Sequence, residues 1–212
     1  MPEGPLRDAA NSAEQAGHSV VVVYDDARAV AVIALADAVD DESVAAIEKL
    51  RSMGIEPIIV SGDHQAAVDS VAQAVGIAEV HAACSPQEKL ELVAQRQAAG
   101  RTVAMVGDGV NDAAALAKAH LSMAMGAGAD VAANSADIVL VRSSMAAAVD
   151  ALRLSRATMR TIRFNLLWAF GYNVAAIPLA MAGVLGPIVS AGTMAFSSVF
   201  VVTNSLRLRR FR

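Results

Sequence analysis

Apolar and polar positions divide the chain into a part where short runs alternate and a nearly continuous apolar part. β-branched runs predict strands at 20–24, 29–35, 57–60, 103–106, 122–125 and 138–141. Helices are predicted at 42–53, 65–75, 86–98 and 112–119. Gly54, Gly76 and Gly100 stop the first three, and Ser85 to Glu88 form a capping box that opens the third. Strands alternating with helices predict an α/β domain with a mostly parallel sheet, whose ligand chemistry lies at the carboxyl ends of the strands.

The last quarter of the chain is long and apolar enough to cross a membrane twice. From Phe164 to Leu206 there is no charged residue, and one crossing needs about 20 apolar residues. Gly183 and Gly186-Pro187 interrupt the run and predict a tight turn. We therefore predict transmembrane helices at about 164–182 and 188–206.

Charge is distributed as unevenly as hydropathy. Residues 1–150 hold all 21 acidic residues and 9 of the 17 basic ones, whereas 151–212 hold 8 arginines and no acid. These arginines bracket the two spans, which predicts a helix hairpin with both ends on the cytoplasmic side rather than a nucleic-acid surface. A hydrophobic content of 55% argues against disorder. A single cysteine, Cys84, excludes a disulfide framework and is interpreted as a small buried residue.

Two loops at predicted strand ends carry candidate chemistry. Ser61-Gly62-Asp63 follows the strand at 57–60 and can offer a hydroxyl and backbone N–H groups to an anion, although a plain turn explains it equally well. The loop from Gly107 to Asp112 follows the strand at 103–106. Its two acids, Asp108 and Asp112, can hold Mg²⁺, the alternative being a turn followed by an Asp-capped helix.

A lysine and the intramembrane polar residues complete the candidates. Lys89, in the first turn of a helix where a cation opposes the dipole, is either a solvated charge or a charge aimed at phosphate. The four histidines show no ligand spacing and are interpreted as structural or surface residues. Within the spans, polar groups can simply join helices, or they can form a soft-metal site with the thioether of Met194. These groups are Tyr172, Asn173, Ser197 and Ser198.

In combination, three of these segments resemble the phosphorylation domain of P-type ATPases, which belong to the haloacid dehalogenase-like superfamily. They are Ser61-Gly62-Asp63, Pro86-x-x-Lys89 and the run from Gly107 to Leu116, GDGVNDAAAL. The spans resemble the last two helices of the heavy-metal branch, where Tyr172-Asn173 and Met194-x-x-Ser197-Ser198 match Cu(I) transporters. The zinc branch would show an intramembrane Lys and Asp, which this chain lacks.

The resemblance implies a Rossmann-like parallel sheet followed by a transmembrane hairpin, and it assigns roles to the candidates. Ser61 and Gly62 would hold phosphoryl oxygens, where the family usually has Thr-Gly-Asp, and Asp63 would position that loop. Lys89 would neutralise an aspartyl-phosphate, Asp108 would bind Mg²⁺, and Asn111 and Asp112 would hydrogen-bond around it. The implied ligands are ATP, Mg²⁺ and transported Cu⁺. Tyr172, Asn173, Met194, Ser197 and Ser198 would line the copper path.

The same resemblance predicts how the chain is organised. Residues 1–33 would be the tail of a nucleotide-binding domain, 34–150 part of the phosphorylation domain, and 151–212 the hairpin. The DKTGT segment that carries the family's phosphorylated Asp is not found in these 212 residues. The chain is therefore expected to be a carboxyl-terminal fragment of an integral membrane pump, inactive without the preceding part.

Two alternatives remain open. The first is a membrane-anchored phosphatase with Asp37 as nucleophile, although Asp37-Ala38-Val39 lacks the second acid that such phosphatases use for protonation. The second is a truncated product without catalysis that binds metal or associates with a complete pump.

Overall fold

The structure is a computed structural model, and it describes residues 4–15, 18–35, 39–108, 111–126, 136–183 and 185–211. Two compact units make up the chain, Met1–Val149 and Asp150–Arg212. The helices are α1 Pro5–Gln15, α2 Asp41–Ser52, α3 Gln65–Val75, α4 Pro86–Ala98, α5 Ala113–Lys118, α6 Met145–Met181 and α7 Pro187–Leu206. The strands are β1 Ser19–Asp25, β2 Arg28–Leu35, β3 Ile59–Val60, β4 Val80–His81, β5 Ala104–Gly107, β6 Leu121–Met125 and β7 Ile138–Leu140.

The first unit has the predicted α/β architecture. Strands β1 and β2 form an antiparallel hairpin. The other described strands pair in parallel, β3 with β4 in one sheet and β5, β6 and β7 in that order in another. Helix α3 lies between β3 and β4 along the chain, and α5 lies between β5 and β6, which supplies the crossovers that parallel pairing requires. The predicted fold class, a parallel-sheet domain followed by two helices of transmembrane length, is confirmed.

The core of the first unit includes buried residues of α2 and α3 and a cluster between the second parallel sheet and α5. Leu116 of α5 and Met123 of β6 are fully buried, and Ala124 lies beside them. Helix α5 also packs against α4, where the Gln97 amide donates to the Lys118 carbonyl over 2.8 Å. This packing fixes the end of β5 relative to the start of α4, which are the two places that carry site residues.

Most helix ends lie where turn chemistry predicted them. Helix α3 has the predicted bounds because Gly76 takes a left-handed conformation (φ 71°) and ends it. Helix α4 opens with the predicted capping box: Ser85 accepts from the Glu88 N–H, and the Glu88 carboxylate accepts from the Ser85 N–H over 2.7 Å. Three elements were not predicted: α1, the two-residue strand β4 and the 3₁₀ turn Arg207–Arg210.

The capping box makes the stability of the first unit depend on pH in the acidic range. The Ser85 hydroxyl, and then its N–H, hold the pKa of Glu88 below its ordinary value of 4.5. A lowered pKa stabilises the fold at neutral pH, and this contribution is lost as the pH falls below about 4.5 through the lowered pKa.

We therefore expect Ser85→Ala to lower the free energy of unfolding by about 1 kcal/mol at neutral pH. The variant should also lose less stability than the unmodified chain between neutral and acid pH. Urea unfolding at both pH values, followed by circular dichroism, measures this. Gln87→Ala, in the same turn but outside the cap, is the control, and an equal loss there would contradict the role of the cap.

The second unit contains two long helices. Helix α6 begins at Met145, well before the predicted start of the first span, because the arginine-bearing segment that precedes Phe164 is itself helical. Gly186 and Pro187, predicted to lie in the turn, are the N-cap and first residue of α7, and Gly183 has a φ of 73°. Both α6 and α7, the latter with the turn that follows it, are long and apolar enough to cross a membrane.

Side chains from both helices join the hairpin. The rings of Trp168 and Phe200 lie 4.8 Å apart between centroids. The side-chain amide of Asn204 donates to Asn165 Oδ1 over 2.7 Å, and the side-chain amide of Asn165 donates to the Ser205 hydroxyl over 2.9 Å. Polar side chains therefore join these helices, as the structural interpretation of intramembrane polar residues predicts.

Candidate functional site

The centre of the candidate site is an ion pair between a helix start and a strand end. The Lys89 ammonium of α4 lies 2.8 Å from Asp112 Oδ1, in the loop between β5 and α5. The two side chains are only 11% and 12% exposed. A cation and a carboxylate held together away from water interact more strongly than a surface pair. The solvated interpretation of Lys89 is therefore wrong.

Asp112 is held in place by the absence of a side chain on Gly107. A Cβ atom built on Gly107 would lie 2.5 Å from Asp112 Oδ2 and 3.1 Å from its Cβ, so any larger residue at the end of β5 would force the Asp112 side chain to move. Asp112 occupies the N-cap position of α5 but makes no side-chain capping hydrogen bond. The alternative of an Asp-capped helix is therefore wrong, because the carboxylate faces Lys89 and Gly107 instead of the helix N–H groups.

The loop Ser61-Gly62-Asp63 is an ordered turn at the end of β3. The Ser61 hydroxyl donates to Asp63 Oδ2 over 2.8 Å, and the Asp63 N–H donates back to the same hydroxyl over 3.2 Å. The Cys84 N–H donates to the Ser61 carbonyl over 2.9 Å, and the Ala83 N–H donates to the Asp63 carbonyl over 2.7 Å. The loop is thus attached to the segment that leads directly into α4 and Lys89.

The predicted residues occupy different parts of the candidate site. Asp108 and Asn111 lie in the same loop as Asp112, and both are exposed to solvent. Hydrogen bonds connect the Ser61 loop to Cys84, one residue before the N-cap of α4, while Lys89 reaches Asp112 from the first turn of that helix. Asp37, the nucleophile of the phosphatase alternative, lies outside the described residues.

Three histidines and the single cysteine make local contacts within the first unit. His64 caps α3 by accepting from the Ala67 N–H over 3.3 Å, and His120 accepts from the Val103 N–H over 3.2 Å. His81 pairs with Glu79 over 2.9 Å. Cys84 is half-buried rather than buried, and its thiol points to the Ala82 carbonyl. The structural interpretation of these three histidines is confirmed.

The predicted intramembrane residues occupy two kinds of position on the hairpin. The Tyr172 hydroxyl lies 2.6 Å from the Thr193 hydroxyl, between α6 and α7. Asn173 and Ser198 instead bond back to their own helices, to the Ala169 and Met194 carbonyls. Met194 is 69% exposed in this unit.

Sequence reasoning missed Thr193, Asn165 and Asn204. Each joins the two helices through a side-chain hydrogen bond. Thr193, Phe200 and Asn204, which face α6, are spaced by seven and four residues along α7. That spacing is the pattern of one helix face and was the available signal.

A family model described as a haloacid dehalogenase-like hydrolase matches residues 3–120, more than half of the chain. The matched segment contains the Ser61 loop, Lys89 and the loop that ends at Asp112. The chain belongs to the haloacid dehalogenase-like hydrolase family.

Whole-chain comparisons give the branch of that family. The chain is 50% identical over 206 residues to the cation-transporting P-type ATPase B of Mycobacterium leprae (strain TN), covering 97% of this chain and 28% of that protein. It is 49% identical over 206 residues to the copper-exporting P-type ATPase of Mycobacterium tuberculosis (strain ATCC 25618 / H37Rv), covering 97% of this chain and 27% of that protein. The predicted branch, the P-type ATPases, is therefore confirmed. The chain spans little more than a quarter of the length of these relatives.

Solved structures agree with this placement. A zinc-transporting PIB-type ATPase in the E2.Pi state matches with a TM-score of 0.79 and 32% identity over 98% of this chain and 34% of that one. The same description applies to its E2P state, with a TM-score of 0.80. The fold of both units is therefore that of a heavy-metal P-type ATPase, whose members are integral membrane proteins.

Proposed function

We propose that this chain is part of an ATP-driven pump that exports Cu(I), or another soft heavy metal, through formation and hydrolysis of an aspartyl-phosphate. The observation that carries the proposal is the Lys89–Asp112 pair, 2.8 Å apart at the end of a parallel strand. In this proposal, residues 1–33 end a nucleotide-binding domain, 34–150 belong to the phosphorylation domain, and 151–212 form the final membrane hairpin.

The phosphoryl chemistry requires positive charge and donors around a transferring group. The Lys89 ammonium supplies a positive charge, and its ion pair with Asp112 fixes its orientation. A charge fixed in this way can stabilise the transferring phosphoryl group without reorganising during the reaction. The Ser61 hydroxyl and the Gly62 backbone are proposed to contact phosphoryl oxygens, while Asp63 holds the hydroxyl over 2.8 Å.

The carboxylates of the second loop fit Mg²⁺ in part. Asp108 is an exposed carboxylate beside the end of β5 and offers the hard oxygen donors that Mg²⁺ prefers. Asp112 has Oδ1 against the Lys89 ammonium and Oδ2 toward Gly107. We therefore assign Asp108 the direct contact, and Asp112 and Asn111 supporting positions around it. When bound, the ion would neutralise phosphate charge.

The metal path is proposed to use the hairpin residues Tyr172, Asn173, Met194, Ser197 and Ser198. A thioether such as that of Met194 favours Cu(I) over harder ions. Met194 and Asn173 are exposed on the two-helix unit, a position from which they can face other helices of a pump. Tyr172 is oriented by the Thr193 hydroxyl.

Copper rather than zinc is proposed as the cargo for two reasons. One relative that is 49% identical over 206 residues is a copper-exporting ATPase. In addition, residues 164–206 contain neither Lys nor Asp, the charged groups expected of a zinc path. The structural match to a zinc-transporting pump has lower identity, 32%.

The arginines at both ends of the spans support a hairpin whose two ends face the cytoplasm. The first group is Arg153, Arg156, Arg160 and Arg163, and the second is Arg207, Arg209, Arg210 and Arg212. We propose an inner-membrane location with the α/β unit in the cytosol. ATP and Mg²⁺ would then reach the phosphorylation site from the side where they are abundant.

A chimera tests the proposed function. In it, this chain replaces the aligned 206-residue segment of the copper-exporting Mycobacterium tuberculosis relative. The chimera should restore copper tolerance to copper-sensitive cells, whereas the 212 residues alone, which lack the DKTGT segment, should not. A chimera that reaches the membrane without conferring tolerance would favour the second alternative, a truncated product without catalysis.

A thioether exchange tests the metal path. Met194→Leu keeps volume and hydropathy but removes the sulfur, so in the chimera we expect Cu(I)-stimulated ATP hydrolysis to fall about tenfold or more, corresponding to one lost ligand. Met181→Leu, at the end of α6, is the matched control and should retain activity. Equal activity of both variants would remove Met194 from the path.

A further inference from the structure

A basic cleft opens between the two membrane helices where their apolar spans end. It has a volume of about 580 Å³ and is formed by α6 together with the 3₁₀ turn Arg207–Arg210 that follows α7. Arg160, Arg207 and Arg210 line it, and Phe164 and Phe211 form aromatic walls. Its lining, so far as the structure describes the chain, contains none of the residues assigned to phosphoryl transfer or to the proposed metal path.

The second unit carries eight arginines and a single acidic residue. Asp150 is the only acidic residue at or after position 150, and it lies 3.4 Å from Arg153. The described residues that line the cleft include three arginines and no carboxylate. Arg153 does not line the cleft itself, but its guanidinium lies over the Phe211 ring, 5.4 Å from the ring centroid, and so supports that side of the cleft. Three like charges facing one space are stabilised by an anion.

The position of the cleft along the membrane normal indicates which kind of anion it would bind. Phe164 is the first residue of the uncharged run and Leu206 the last, so Arg160, Arg207 and Arg210 lie at the boundary between hydrocarbon and water. Phospholipid phosphates lie at this level, and the cytoplasmic leaflet is rich in anionic lipids. A guanidinium binds phosphate through two parallel hydrogen bonds, while the phenylalanine rings suit the glycerol and first acyl carbons.

We propose that this cleft binds the phosphate headgroup of one anionic phospholipid. Arg160 of α6 and Arg207 and Arg210 of the turn after α7 would contact the phosphate. Such a lipid would join the arginine-bearing segment of α6 before Phe164 to the turn after α7. The inference goes beyond the proposed metal transport and does not depend on which metal is carried.

The test uses the full 212-residue chain in nanodiscs of phosphatidylcholine with a minor fraction of phosphatidylglycerol. Native mass spectrometry then counts the lipids that stay bound after gentle release from the disc. The unmodified chain should retain one phosphatidylglycerol in preference to phosphatidylcholine. Arg207→Gln and Arg210→Gln should each weaken that retention by about tenfold or more, the loss expected when a hydrogen bond to a charged group is removed.

The matched control is Arg209→Gln, which removes the same charge from the same turn but does not line the cleft. General attraction to the membrane surface predicts a loss of only about fivefold there. Arg160→Gln, on the other helix, should match Arg207→Gln, which gives a second variant if one fails to keep its helical circular dichroism.

Two results would overturn the proposal. Equal losses in Arg209→Gln and Arg207→Gln would mean diffuse charge attraction without a site. Displacement of the lipid by millimolar inorganic phosphate would mean a site for a soluble anion instead. Retention that survives phosphate and depends on Arg160, Arg207 and Arg210 supports a lipid site.

Discussion

Lys89→Met should reduce formation of the phosphorylated intermediate in the chimera by about 100-fold or more, the effect of losing one fixed charge from a reacting centre. Methionine keeps most of the side-chain volume and removes the ammonium that lies 2.8 Å from Asp112. The carboxylate of Asp112, only 12% exposed, is then left without its cation, so the unit should also lose about 1–3 kcal/mol of stability. Transfer of labelled γ-phosphate from ATP, with urea unfolding in parallel, measures both effects.

The control for this prediction is Lys118→Ala, which removes an exposed lysine from the last turn of α5. It should leave phosphorylation unchanged and alter stability by less than about 1 kcal/mol. If Lys89→Met phosphorylates as well as Lys118→Ala does, Lys89 holds the loop and takes no part in phosphoryl transfer.

Gly107→Ala should displace the Asp112 carboxylate and disrupt the site without changing any charge. The added Cβ would lie 2.5 Å from Asp112 Oδ2, and relieving such an overlap costs about 1–3 kcal/mol. Because the Leu116 N–H donates to the Asp112 carbonyl over 2.8 Å, the displacement should also loosen the start of α5. Amide hydrogen exchange of 113–118 should therefore accelerate, and phosphorylation should fall.

Gly62→Ala gives the contrasting case within the same region. A Cβ there would meet only the Cys84 carbonyl at 3.5 Å, an ordinary contact. Hydrogen exchange of 113–118 should be unchanged in this variant. Comparable acceleration in both variants would show that the close approach at Gly107 has no special role.

Local turn chemistry explains which elements could be predicted. Gly76 and the Ser85–Glu88 capping box each act within four residues, so the bounds of α3 and the start of α4 followed from sequence. Strand β4 has two residues, too few for a periodic pattern, and its pairing with β3 depends on distant packing. The apolar positions of α1, Leu6, Ala9, Ala10 and Ala13, recur at helical spacing, but most of them are alanines, which give a weak hydrophobic pattern.

The site was predictable as a set of residues but not as contacts. The glycines and acids of the second loop predicted a phosphate or metal site, yet not that Asp112 would turn from its capping position to Lys89. That pairing spans 23 residues and arises from the packing of α4 on α5, which periodicity does not encode. The same holds for Tyr172 and Thr193, joined only when the two membrane helices pack.

We propose above that this chain serves phosphoryl transfer coupled to transport of a soft metal. The most direct measurement is metal-dependent phosphorylation of the chimera by labelled ATP in isolated membranes, comparing Cu⁺, Ag⁺ and Zn²⁺. We expect an acid-stable phosphoprotein that appears with Cu⁺ or Ag⁺ and Mg²⁺, and that is lost in Lys89→Met. Phosphorylation that is stimulated by Zn²⁺ but not by Cu⁺, or that persists unchanged in Lys89→Met, would contradict it.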